Sequence, residues 1–120
     1  MRSVLVTGAN GFVGATLCRK LIAQGTQVRG LVRRTSDLSA LAGLPVDLIT
    51  GTLGQPAALR EACVGVDTVF HVAAAVSDWG TLESFREVNV QGTGNVLDAA
   101  VSTGVSRFVH VSSVAVHSFI

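Results

Sequence analysis

The sequence has 120 residues and a formal net charge of +1: enough for one domain or one piece of a larger one, with no charge case for nucleic acid or an acidic membrane as partner. Hydrophobic residues make up 48% and charged residues 14%, more apolar than a freestanding domain of this size readily covers. Strands buried on both faces and a partner segment over part of the surface are therefore both expected.

The first apolar run, Val4 to Val6, is too short for a signal peptide. No run approaches the roughly 20 residues that span a bilayer, so the chain reads as cytosolic. That run lies in a β-branched strand, SVLVT (3–7). A helix is predicted over 12–23, with Val13, Leu17, Leu21 and Ile22 forming its apolar stripe and Gly25 placed for a left-handed stop. QVRGLV (27–32) is the second strand, followed by the polar loop RRTSD and a brief helix around 37–42. VDLIT (46–50) is the third strand, and a helix over 56–63 starts with Pro56 at its first position. DTVFHVA (67–73) is a nearly continuous apolar strand, as suits the centre of a parallel sheet. A long helix over 81–103 closes at Gly104, and RFVHVSS (107–113) is the fifth strand.

Five strands separated by helix-sized crossovers, with no hairpin signal, predict an α/β fold. Its expected form is a doubly wound parallel sheet of Rossmann type, order 3-2-1-4-5. Cys18 and Cys63 lack metal-ligand neighbours and read as two buried thiols rather than a disulfide.

The stretch VTGANGFVG puts Gly8, Gly11 and Gly14 between the first strand and the first helix. Free N–H groups and the positive end of the helix dipole favour an anion there. The spacing is G-x-x-G-x-x-G, not the G-x-G-x-x-G dinucleotide fingerprint. The first glycine suits a turn with φ > 0, the second a close pyrophosphate, the third close helix packing against the sheet. A glycine triplet alone is weak evidence, but the strand–turn–helix setting turns it into a nucleotide site. After the second strand, where an acid would hold a ribose 2′-OH, stand Arg33 and Arg34. Two guanidiniums suit a 2′-phosphate and favour NADP over NAD, although a solvated arginine pair is the plainer alternative.

Four stretches in order, VTGANGFVG, VFHVAAAVSDWG, VNVQGTGNVLDAA and GVSRFVHVSS, resemble the extended short-chain dehydrogenase/reductase family along essentially the whole chain. That family includes nucleotide-sugar epimerases and dehydratases, dihydroflavonol reductases and 3β-hydroxysteroid dehydrogenases. VRGLVRRTSD looks more like its reductase and steroid-dehydrogenase branches. The resemblance implies an NAD(P)-dependent oxidoreductase or epimerase/dehydratase that transfers hydride to or from a carbonyl or alcohol substrate. It leaves room for a homodimer of the full-length protein.

By position, the resemblance implies that Gly8, Gly11 and Gly14 cradle the pyrophosphate, lined by Asn10, Phe12 and Val13, while Arg33 and Arg34 meet the adenosine phosphate. Thr52 and Leu53 fall where the family usually has Asp-Leu against the adenine; a hydroxyl there replaces a carboxylate acceptor and weakens that contact. Val72, Ala73, Ala74 and Ala75 would wall the nicotinamide ribose, and a buried strand end would be just as alanine-rich. Asn89 shares an inward stripe with Phe85, Gly92 and Val96; a packing hydrogen bond and a place against the cofactor are compatible readings. Val111 and Ser112 also fall on the cofactor side, and Ser113 matches the catalytic Ser/Thr that hydrogen-bonds the substrate oxygen. Without its motif position, Ser113 would read as a strand-end cap. His71 and His110 read as core or strand-end histidines, and His117 receives no role; Trp79, in the SDWG loop after the fourth strand, reads either as a substrate contact or as a packed aromatic.

The same resemblance implies a Tyr-x-x-x-Lys pair, with the tyrosine as general acid or base and the lysine lowering its pKa. These 120 residues contain no tyrosine, and Lys20, on the first helix, is the lone lysine. The expectation is an N-terminal portion, residues 1–120, of a longer enzyme whose substrate-binding part lies beyond it. A small non-catalytic dinucleotide-binding sensor or regulatory module is the alternative. Under either reading these residues by themselves have no turnover.

Overall fold

The computed structural model describes residues 1–72 and 90–111. Five strands form one parallel sheet: β1 (Ser3–Thr7), β2 (Gln27–Val32), β3 (Val46–Thr50), β4 (Thr68–His71) and β5 (Arg107–His110), in the order β3-β2-β1-β4-β5. Three helices are described: α1 (Phe12–Ala23), α2 (Pro56–Cys63) and α3 (Gly92–Ser102). The doubly wound architecture is the expected one.

β1 is the centre of the sheet. It pairs in parallel with β2 (Thr7 opposite Leu31) and with β4 (Thr7 opposite His71), and Val4 to Thr7 are fully buried. Strand alternation sends Val4 and Val6 to one face and Leu5 to the other, so one strand seeds two cores. On the first face Val4, Val6, Val28 and Val32 pack against Ala15, Cys18 and Leu21 of α1. On the second, Leu5, Leu31 and Val69 pack against Leu59 and Ala62 of α2 and Val96, Ala99 and Ala100 of α3. Both cysteines are free and buried in these cores, as expected, and burial pushes the Cys18 thiol up to about 11.

Local details depart from the sequence reading. The buried face of α1 runs through Gly14, Ala15, Cys18 and Leu21, while Val13 is half exposed. The apolar stripe is thus rotated away from Val13, because small residues set how close the helix can lie. The brief helix around 37–42 is a single 3-10 turn, Ser39–Leu41. There the Asp37 carboxylate accepts the Ser39 N–H (3.0 Å), and Gly43 has φ 79, so no longer helix can propagate. β4 begins at Thr68, not Asp67. The Asp67 carboxylate instead clips the lower edge of the sheet, accepting from the Thr68 hydroxyl (2.7 Å) and the N–H groups of Arg2 (2.8 Å) and Ser3 (3.1 Å). Those bonds, the hydroxyl's first, hold its carboxyl down to about 2. Residues 73, 81–89, 112 and 113 of the predicted fourth strand, long helix and fifth strand lie outside the described residues. No helix among the described residues is long and apolar enough to cross a membrane.

Arg29 joins the edge of the sheet to a helix. Its Nη1 donates to the carbonyls of Ala62 (2.7 Å) and Val64 (2.8 Å) where α2 ends, and its Nε lies 3.6 Å from the Asp47 carboxylate. Leu59 is fully buried between sheet and helices, whereas Leu48 on edge strand β3 is 40% exposed. Leu59→Ala is therefore expected to lower unfolding free energy by about 2–5 kcal/mol, and Leu48→Ala by about 1 kcal/mol or less, as read from urea melts.

Candidate functional site

In an open parallel sheet the chain leaves every strand on the same edge, and a crevice opens where the crossovers diverge to opposite sides. Here that point lies between β1 and β4. The described candidate residues all follow strand ends on that edge: Gly8 after β1, Arg33 after β2, Thr52 after β3, Val72 after β4 and Val111 after β5.

The turn after β1 is built by its glycines. Gly8 has φ 64, a left-handed conformation, and its carbonyl accepts the Gly11 N–H at 3.1 Å. A Cβ on Gly14 would overlap that same carbonyl oxygen and lie 3.0 Å from the Ala9 Cα. The third glycine thus packs against the first, on the loop itself, rather than against the sheet at large. Gly11 differs. At φ −77 and ψ 173 any residue is allowed, and an added Cβ would meet only the Gly8 carbonyl at 3.5 Å. The fold makes no demand for glycine at that position, and its bareness leaves room above the turn for something outside the chain. Gly11 is the N-cap of α1, with no capping side chain and no acid in the first turn. The first N–H groups of α1 thus have no side-chain cap. Phe12 (88% exposed) and Val13 flank this cradle. Shape and donors both fit a phosphate-bearing group.

Asn10 ties the cradle to the next loop, its Nδ2 donating to the Asp37 carbonyl at 3.3 Å. That loop is closed by the Arg33 N–H on the Ser36 hydroxyl (2.9 Å) and the Ser36 N–H on the Arg33 carbonyl (3.0 Å). The closure holds both exposed arginines at the end of β2, and among the described residues neither has a carboxylate in ion-pair range. Thr52 is exposed and serves its own turn: its N–H donates to Gln55 Oε1 (3.0 Å) and its hydroxyl accepts the Gly54 N–H (3.3 Å). Leu53 is half-buried, and its carbonyl accepts from Asn95 Nδ2 at 2.8 Å.

The end of β4 holds a polar cluster that the sequence reading did not anticipate. His71 is buried, with Nδ1 2.9 Å from the Thr7 hydroxyl and Nε2 3.0 Å from the Thr93 hydroxyl. The Thr7 hydroxyl also accepts the Val72 N–H at 3.0 Å, and the His71 carbonyl accepts the Val111 N–H at 3.0 Å. His110 stands edge-on, ring centroids 5.5 Å apart. No cluster among the described residues has the makings of a metal site, and His71 is a core histidine with both nitrogens engaged. Nothing in the sequence spacing of Thr7, His71 and Thr93 signals the contact, since three separate elements bring them together. Ala73, Ala74, Ala75, Asn89, Ser112 and Ser113, with Trp79 and His117, lie outside the described residues.

A groove of about 220 Å³ between α2 and α3, lined by Arg60, Asn95 and Asp98 among others, lies on the helical layer and contains none of the candidate residues.

Two expectations follow. Gly14→Ala should cost about 1–3 kcal/mol of stability, while Gly11→Ala costs less than about 1, as read by thermal unfolding. Burial first, then the neighbouring His110, pushes His71 from 6.5 down to about 4. The unfolded chain therefore takes up this proton at higher pH than the folded one. Stability is full above about pH 6.5 and falls by up to about 3 kcal/mol as pH drops to about 4; His71→Gln should flatten that limb of a pH series of urea melts.

Against this geometry, comparison with known proteins is specific. The profile of the NAD dependent epimerase/dehydratase family matches residues 4–118. Sterol demethylase protein B of Methylococcus capsulatus is 45% identical over 112 residues, covering 92% of this chain and 34% of that protein. The 2-alkyl-3-oxoalkanoate reductase of Stenotrophomonas maltophilia is 41% identical over 113 residues, 94% of this chain and 34% of its own length. Among solved structures, a short-chain dehydrogenase/reductase superfamily protein from Agrobacterium tumefaciens with bound NAD superposes with a TM-score of 0.78 at 37% identity, over 93% of this chain and 33% of that one. The chain spans about a third of the length of the curated relatives it matches.

Proposed function

Because the chain belongs to the NAD dependent epimerase/dehydratase family, we propose that residues 1–120 are the dinucleotide-binding part of an oxidoreductase or epimerase/dehydratase acting on a carbonyl or alcohol substrate. The observation that supports this most directly is the glycine turn: a bare Gly11 that the fold itself does not need, above an uncapped helix start. Gly8, Gly11 and Gly14 hold the pyrophosphate through backbone N–H groups of the turn and of α1, with Asn10, Phe12 and Val13 beside it. On the family resemblance, Thr52 and Leu53 serve the adenine, Val72 to Ala75 wall the nicotinamide ribose, and Asn89, Val111 and Ser112 belong to the cofactor region. When bound, the dinucleotide supplies the hydride acceptor or donor.

Ser113 donates or accepts a hydrogen bond at the substrate oxygen and so fixes the carbon that loses or gains hydride. The proton on that oxygen needs an acid or base, and the relatives' greater length leaves room for one outside these residues. Residues 1–120 alone are accordingly proposed to bind dinucleotide without turning it over, and the site works in the cytosol.

Arg33 and Arg34 favour NADP. Both are exposed at the end of β2, and no described carboxylate competes for them. Fluorescence titration of the intact protein should show Arg33→Ala weakening NADPH binding about tenfold or more while NADH changes little. Gly11→Ala should weaken both alike. Equal loss of both cofactors in Arg33→Ala would remove the 2′-phosphate role.

A further inference from the structure

We propose that the first turn of α3 sets the distance between the two ends of the dinucleotide cleft, with Asn95 and Thr93 as positioning residues. The inference rests on the site reading above. β3 and β4 are not neighbours, since β2 and β1 lie between them. Yet the loop that leaves β3 and the last residue of β4 are fastened to the same helical turn. On one side Asn95 Nδ2 donates to the Leu53 carbonyl at 2.8 Å. Gly92, three residues earlier on that turn, lacks the Cβ that would lie 2.8 Å from Leu53 Cδ1, so the leucine packs directly on the helix backbone. On the other side the Thr93 hydroxyl lies 3.0 Å from His71 Nε2, and the far nitrogen of that ring is 2.9 Å from Thr7. Thr7 in turn accepts the Val72 N–H, so the residue leaving β4 is placed through this chain of contacts.

A helical turn is stiff, because its backbone bonds leave few soft dihedrals. Two fasteners two residues apart on it hold Leu53 and His71, the residue just before Val72, at a set separation, with the glycine turn after β1 between them. A dinucleotide is an extended ligand gripped at both ends and in the middle. Pre-setting that separation removes an ordering cost from binding. Neither residue needs to touch the ligand.

The test uses the intact protein, ADP as a probe of the adenine half alone, and NADPH as a probe of the whole cleft. Asn95→Asp keeps the shape but loses the donor, and is expected to weaken ADP and NADPH alike by about tenfold. Thr93→Val also keeps the shape, and is expected to weaken NADPH by about three- to tenfold while leaving ADP unchanged. Thr93→Ser, which keeps the hydroxyl, restores NADPH affinity. Should Asn95→Asp fail to fold, Asn95→Ala removes the donor without adding a charge and should give the same pattern. A purely structural role would lower the melting temperature and shift both probes equally in both variants. That result, or unchanged binding in both, overturns the inference alone. An unaltered protein that binds neither probe overturns the site reading and the inference with it.

Discussion

The structure depends on one strand being paired on both sides in the same direction. β1 has parallel neighbours in β2 and β4, and Val4 to Thr7 are fully buried. Parallel neighbours cannot be joined by tight turns, so each crossover must carry the chain back along a face of the sheet. That need places α1 on one face and α2 and α3 on the other, giving Val4 and Val6 one core and Leu5 another. It also sends every strand's exit to one edge. The site is a consequence of strand direction before it is a consequence of any side chain.

What happens at that edge is governed by how tightly the chain can turn. Gly8 supplies the left-handed backbone, and Gly14 lets α1 sit against the Gly8 carbonyl. Together they point the start of a helix across the end of the central strand, where its unbonded N–H groups are useful to an anion. Gly11 has no such structural duty, which is why it speaks most directly for a ligand. Around this turn the neighbouring loops are pinned by side chains to backbone: Asn10 to Asp37, Ser36 to Arg33, Asn95 to Leu53. Loops held this way stay open to solvent while keeping their shape.

Much of this was legible in advance. Strand boundaries for β1, β2 and β3, the spans of α1 and α2, and the order of the sheet follow from β-branched runs, Pro56 and the alternation of strand with crossover. The glycine turn announced itself because its residue type answers a local backbone requirement. The rotated face of α1 did not, since Val13 looks as apolar as Leu21 and only the closeness of the sheet decides between a small face and a large one. Asp67 read as the start of a strand because nothing local reveals that its carboxylate will meet the N–H groups of Arg2 and Ser3, more than sixty residues earlier.

The sequence carried the family resemblance in four motifs in order, and by itself determined the fold class and the position of the glycine turn. The fold class and the turn rest on period, spacing and backbone permission, while the resemblance runs along nearly the whole chain. Only the tertiary structure decided the partners of Thr7, His71, Thr93, Leu53 and Asn95. Each is an ordinary residue in its own segment, and its role arises from a hydrogen bond between elements that sheet pairing and helix packing bring together.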